Sequence, residues 1–147
     1  MSELPVVPIA RPEHPIAAGT RIGHVHLRTA DIDRIRDFYV GVLGFEITAE
    51  ARDVPGWGTT GDVLFVSAGA YHHHVGFNVW RGRGIPAQPD GTVGLGHWTL
   101  VVPDAATLAV VAERLKAVGA PVEPHPEGLL ARDPSGIAVV VTEQEQG

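Results

Sequence analysis

The chain has 147 residues, enough for one domain with a real core, and a formal net charge of −6. No block of basic residues occurs, which argues against nucleic acid and against an anionic membrane surface as partners. Cysteine is absent, so disulfides and thiolate zinc sites are excluded, and any metal must be held by His, Asp, Glu or carbonyl oxygen.

Met1-Ser2-Glu3-Leu4-Pro5 carries neither the basic nor the apolar region of a signal peptide. No apolar run approaches the ~20 residues needed to span a bilayer, so a soluble, cytoplasmic protein is expected. Residues 1–20 hold Pro5, Pro8, Pro12 and Pro15 and little periodic pattern, and read as an extended N-terminal arm. Ile22 to Thr29 alternates as a half-buried strand, with Val25 and Leu27 on one face and His24, His26 and Arg28 on the other. Asp31 suits the N-cap of a helix whose apolar stripe is Ile32, Ile35, Phe38, Tyr39 and Val42, closed by Gly44. Phe45, Ile47 and Ala49 alternate into a second strand, Pro55-Gly56-Trp57-Gly58 makes a connection, and Val63–Ser67 is a third strand.

Tyr71-His72-His73-His74-Val75-Gly76-Phe77-Asn78-Val79-Trp80 follows as a fourth. Its alternation puts Val75, Phe77 and Val79 on one face, and His72, His74, Gly76 and Asn78 on the other. Imidazole is both a common metal ligand and a proton carrier near neutral pH, so this stretch is a site candidate. A solvent-facing polar stripe would give the same pattern. Residues 81–94 are rich in Gly and Pro and read as a linker or lid loop.

The pattern then restarts. Gly96-His97-Trp98-Thr99-Leu100-Val101-Val102 parallels Gly23–Thr29, and Asp104 stands as far beyond His97 as Asp31 beyond His24. Leu108, Val111, Leu115 and Val118 form a second helical stripe closed by Gly119, and three short strands follow at 121–123, 129–131 and 137–141. The order β-α-β-β-β therefore occurs twice, an internal duplication. The expected fold class is α+β: two tandem βαβββ modules forming an eight-stranded curved sheet around one cleft. The expected layout is an arm over 1–20 and one domain over 21–147, with module 1 at 21–80, the linker at 81–94 and module 2 at 95–142. Equivalent registers predict His24 and His97 facing each other across the cleft.

Gly23-His24-Val25-His26-Leu27-Arg28 with Asp31, and Arg36-Asp37-Phe38-Tyr39-Val40-Gly41-Val42-Leu43-Gly44-Phe45, resemble the vicinal oxygen chelate superfamily. That superfamily includes glyoxalase I, bleomycin and fosfomycin resistance proteins and extradiol catechol dioxygenases. The segment Gly69–Trp80 resembles its catechol 2,3-dioxygenase-like branch. The resemblance covers roughly residues 21–142. It implies a divalent metal ion (Fe, Mn, Ni or Zn) with His24 and His97 as ligands. The family's glutamate falls on the strand after an Asp-Pro-x-Gly turn; the turn is present as Asp133-Pro134-Ser135-Gly136, but Val140 stands at the glutamate position. The family's further ligand-bearing strand makes His74 the third ligand, followed by His72, whereas counting from Gly69 points to His73.

The resemblance also implies roles around the metal. His26 and His72 are catalytic candidates as acid or base, Tyr71 is a catalytic candidate that orients the substrate by a hydrogen bond, and Arg28 and Asn78 are the substrate-binding candidates. Trp57, Trp80 and Trp98 are candidates for an aromatic rim. The leading expectation is a metal-dependent enzyme acting on a small oxygenated, aromatic molecule, extradiol dioxygenase-like. The missing carboxylate keeps open a redox-neutral isomerase, lyase or cyclase using histidine acid–base chemistry. A metal-free binding protein of the drug-resistance kind is a third reading. A homodimer is expected from the paired modules and the arm.

Overall fold

The structure, a computed structural model, describes residues 13–56 and 59–145. Most of the Pro-rich arm, and Trp57, lie outside these residues; within 13–20 there is neither helix nor strand. The elements are β1 (Val25–Arg28), α1 (Ile32–Arg36), which runs directly into a π-helical segment (Asp37–Val42), β2 (Glu46–Gly56), β3 (Thr59–Ser67) and β4 (Val75–Asn78). After the loop come β5 (Trp98–Val102), α2 (Ala105–Ala117), β6 (Val122–His125), β7 (Gly128–Arg132) and β8 (Ala138–Glu143). The eight strands divide into two four-stranded sheets, ordered β1-β4-β3-β2 and β5-β8-β7-β6. In each, the first strand lies parallel to the last and the remaining pairs are antiparallel. The two βαβββ modules read from the sequence are thus present.

Local chemistry accounts for the helix ends. The Asp31 carboxylate accepts from the Asp33 and Arg34 amides, and Asp104 accepts from the Thr107 amide, so each cap satisfies donors that the helix leaves free. The first helix is not uniformly α. It widens at Asp37, and the Leu43 amide reaches the Phe38 carbonyl at 3.0 Å, five residues back. The wider turn buries the consecutive Phe38 and Tyr39 together. Gly44 then ends the segment at φ 88°, a conformation open to glycine.

One core joins the modules. Tyr39 is fully buried at its centre, with ring centroids 4.5 Å from Phe77, 5.1 Å from Phe38 and 6.2 Å from Trp98 of module 2. Its hydroxyl donates to Asp133 Oδ2 at 2.8 Å, while Oδ1 accepts from the Ser135 and Ile137 amides at 2.8 and 3.0 Å. Thr29 Oγ1 hydrogen-bonds Ser135 Oγ beside it. The Asp-Pro-Ser-Gly turn therefore ties module 2 to module 1. Burial pushes the Asp133 carboxyl above the usual range, opposed by those hydrogen bonds, and burial with the adjacent carboxylate pushes the Tyr39 phenol upward.

Two strand expectations need correction. The β2–β3 hairpin is longer than its alternating cores suggested and continues to Gly56 and Thr59. The histidine stretch is a strand only from Val75; Tyr71 to His74 form a bent loop, so strand parity does not govern the triplet. The ladder sets this limit: the His74 amide reaches the Val66 carbonyl, and the His74 carbonyl accepts from Val25, but no earlier residue of the loop joins. Gly69, at φ 74°, turns the chain, and the Ala68 amide donates to His74 Nδ1 at 3.2 Å to close it.

Candidate functional site

On β1 the alternation holds: Leu27 is buried while His26 and Arg28 are exposed, and His24 stands one residue before the strand. Parallel pairing aligns His26 with Gly76 and Arg28 with Asn78 on β4. The missing side chain at Gly76 makes room here. A Cβ on it would meet the Phe65 ring at 2.9 Å and His26 Nδ1 at 3.0 Å. His26 packs edge-on to Phe65 with centroids 5.9 Å apart and stacks at 6.0 Å on Trp80.

Trp80 is itself fixed. Its Nε1–H donates to the Val54 carbonyl at 2.9 Å, and its ring occupies space that a Cβ at Gly56 would enter at 2.3 Å. His26, Arg28, Asn78, Trp80 and Arg81 line a cavity of about 600 Å³, ample for a small aromatic molecule. A depression of about 240 Å³ on module 2, lined by Pro121, Val122, Glu123, Leu130 and Arg132, contains none of the histidines. Chemistry therefore concentrates on the module 1 face.

At one end of that face three imidazoles converge. The ligand nitrogens of His24, His72 and His73 all lie within 4.8 Å of one another. His73 packs on Phe65 at 4.6 Å and on His24 at 4.4 Å, so the cluster is continuous with the wall behind His26. Burial, reinforced by the neighbouring histidines, lowers the His73 pKa. His26 is lowered too, first by burial and then by His24. Metal–imidazole bonds of about 2.0–2.1 Å hold ligand nitrogens ~3–4 Å apart, a contraction that modest side-chain rotations supply. Three imidazoles fit a borderline divalent ion such as iron, nickel or zinc, and they leave positions open beyond the triad.

The remaining candidates are placed as follows. His74 is engaged in the turn, its Nδ1 lying 3.2 Å from both the Ala68 amide and Ser67 Oγ. Tyr71 stacks against His72 at 4.3 Å and His74 at 4.5 Å, outside the cavity lining. His97 lies one residue before β5, its ring 6.0 Å from His125, and it does not join the cluster of His24. Val140, paired with Thr99 and Leu130, is fully buried. Sequence reasoning missed Arg81, which lies past the strand in a stretch with no periodicity.

A charged network holds the loop carrying Arg81. Arg83 reaches Asp62 at 2.7 Å and Asp53 at 3.2 Å, and Arg52 reaches Asp62, Glu50 and Asp33. The Arg83 guanidinium holds the Asp62 carboxyl below the usual range, with help from the Asp53 amide and Arg52 and against burial. The Gly82 amide closes the turn onto the Val79 carbonyl, and the Gly84 amide bonds Ala30. Arg81 thus sits in a short span anchored on both sides.

Residues 21–141 match the family model described as the Glyoxalase/Bleomycin resistance protein/Dioxygenase superfamily. A catechol-2,3-dioxygenase of Bacillus subtilis (strain 168) is 39% identical over 115 residues, 78% of this chain but 38% of that protein's length. Among solved structures, a glyoxylase/bleomycin resistance protein/dioxygenase domain from Frankia sp. EAN1pec superposes with a TM-score of 0.70 at 23% identity, covering 87% of this chain and 94% of that one. The trypanothione-dependent glyoxalase I of Leishmania major superposes with a TM-score of 0.63 at 20% identity, over 84% of this chain and 86% of its own. A fosfomycin resistance protein from Listeria monocytogenes, solved with Mn(II) and 1S,2S-dihydroxypropylphosphonic acid, gives 0.63 at 13% identity over 86% and 93%. These last three likenesses concern the fold. No helix among the described residues is long and apolar enough to cross a membrane.

Proposed function

The chain belongs to the glyoxalase/bleomycin resistance protein/dioxygenase superfamily, and from that premise we propose that it is a metal-dependent enzyme acting on a small oxygenated, aromatic substrate, with extradiol dioxygenase-like chemistry. The observation that carries this reading is the His24–His72–His73 cluster, continuous with a cavity that has an aromatic wall and an imidazole in its lining. The relative named catechol-2,3-dioxygenase supports the reaction class, although this chain spans only 38% of its length.

His24, His72 and His73 would hold the ion. When bound, a divalent ion supplies Lewis-acid polarisation of neighbouring substrate oxygen atoms. Trp80 presents a flat apolar surface against which a ring packs, and Phe65 lies behind His26. His26, backed by both, takes the proton from a substrate hydroxyl at a ring nitrogen. Tyr71 is a positioning residue, whose ring braces the His72 imidazole.

A second reading draws on one feature. The cluster contains no carboxylate, and Val140 is buried at the position where the family resemblance puts one. An ion held by three neutral ligands keeps its full charge, which suits enolate-type proton transfer in an isomerase, lyase or cyclase.

The test is metal content by mass spectrometry on untagged protein purified without chelator, with His24→Ala/His73→Ala and His97→Ala variants alongside. Near-stoichiometric metal in wild type and in His97→Ala, with loss in the double variant, is expected. Oxygen uptake with catechols then separates the dioxygenase from the redox-neutral enzyme. A folded, metal-free wild type would overturn both metal-dependent readings. Loss of metal in His97→Ala would instead restore the His24–His97 pair predicted from the duplicated register.

A further inference from the structure

The cavity lining has a one-sided chemistry. Arg28, Arg81 and Asn78 share it with His26 and Trp80, and no aspartate or glutamate is among them. The cations that hold the loop are paired: Arg36, Arg52 and Arg83 reach Asp33, Glu50, Asp53 and Asp62 at 2.6–3.2 Å. Among the described residues, Arg28 and Arg81 make no salt bridge. In a protein of net charge −6, two guanidinium groups in one lining that holds no carboxylate give this cavity a local positive character.

Asn78 adds a donor whose direction is fixed. Its Oδ1 accepts from the Trp80 amide at 3.3 Å, so the carboxamide oxygen faces the backbone and the NH2 faces away. The residue is only 7% exposed, and its side-chain nitrogen donates to nothing among the described residues. The nitrogen is not an enclosed orphan but opens onto the cavity, where it is available to a ligand acceptor. Trp80, seated against Gly56 and Gly61, supplies a flat wall stacked on His26.

We infer that this cavity binds a planar aromatic carboxylate, its ring against Trp80 and its anionic group held by Arg28, Arg81 and the Asn78 amide. The inference rests on the cavity being the substrate site proposed above and narrows the substrate class of that site. Guanidinium forks match the two oxygens of a carboxylate, whereas a neutral amide of the same shape brings N–H groups against the donors of Arg28, Arg81 and Asn78.

The experiment measures Kd for benzoate and for isosteric benzamide, by calorimetry, on the wild-type protein as purified. Benzoate is expected to bind at least tenfold more tightly. Arg28→Gln and Arg81→Gln are each expected to cut benzoate affinity severalfold and leave benzamide unchanged, and the double variant to abolish the preference. Circular dichroism and the urea midpoint check that the variants fold. Equal affinities in wild type, or a preference surviving in the double variant, would overturn the inference. The same ratio measured in His24→Ala/His73→Ala separates the two proposals. Failure of the metal reading shows in metal content and turnover, while the carboxylate preference, needing only the arginines and Asn78, persists. Its disappearance in that variant would count against the arginine subsite itself.

Discussion

Tyr39→Phe tests how the modules are joined. The ring sits in a fully enclosed aromatic nest of Phe38, Phe45, Phe77 and Trp98, which phenylalanine fills equally well. Only the hydroxyl is lost, and with it the 2.8 Å bond to Asp133 Oδ2, a carboxylate just 5% exposed. A hydrogen bond to a charged group contributes ~1.5–3 kcal/mol, and a stranded buried acceptor places the loss toward the upper part of that span. With an m-value of about 2 kcal/mol/M, the urea midpoint should fall by roughly 1 M with no change in slope. The loss should also depend on pH. Burial raises the Asp133 pKa and the tyrosine hydroxyl bond opposes that rise, so the substitution moves it further up. An acid whose folded pKa is raised loses stability as pH climbs from the ordinary carboxylate range through the folded value. The gap between wild type and variant should therefore widen from acid toward neutral pH. A stability loss under ~0.5 kcal/mol at neutral pH, or a gap that narrows as pH rises, would refute the clamp.

Three further outcomes follow from the site and its supports. Gly76→Ala drives a Cβ against Phe65 and His26; overpacking of this kind costs ~1–3 kcal/mol, and benzoate affinity should fall at least tenfold while metal content stays, as titration calorimetry and mass spectrometry would record. Asp62→Asn should cost about 1–2 kcal/mol at pH 7 in urea unfolding. Because Arg83 depresses the Asp62 pKa, that stabilisation is present above the ordinary carboxylate value and is lost as pH falls through the lowered folded one, so the variant's deficit should vanish in acid. Metal at a hundredfold excess over its Kd should stabilise wild type by ~2.7 kcal/mol in thermal melts, an increment removed by chelator and missing from His24→Ala/His73→Ala.

The parts of this molecule legible in its sequence are those set by local periodicity and caps. Alternation separated Leu27 from His26 and Arg28 correctly, and Asp31 and Asp104 cap their helices as their positions implied. The triplet was harder, because where a strand begins depends on which amides find partners; the ladder reaches back only to His74, leaving His72 and His73 in a loop that folds onto His24. The π-helical turn arises from burying Phe38 and Tyr39 side by side, a demand of the assembled core rather than of the helical stripe. The Tyr39–Asp133 bond joins residues 94 apart in sequence, beyond any local pattern. The Asp-Pro-Ser-Gly turn was conspicuous as a motif, but its work as the seam between modules shows only in three dimensions.

The duplication also bears on why the larger cavity, with its histidine, lies on module 1. Pairing aligns His26 with Gly76 in the first sheet and Thr99 with Val140 in the second, so Gly76 and Val140 occupy the same place in their modules. At Gly76 the absence of a Cβ leaves room for an imidazole over the sheet, braced by Phe65. At Val140 a branched side chain fills the corresponding space and is fully buried. The same register therefore places a Cβ-free position beside His26 in one module and a buried valine beside Thr99 in the other. That asymmetry bears on where a metal can sit. A ligand set spanning His24 and His97 would draw on both modules, whereas His24, His72 and His73 come wholly from module 1. On this geometry module 2 acts on the site through support, its Asp133 turn holding Tyr39, and Tyr39 in turn packing Phe77, which lies next to the cavity residue Asn78 on β4.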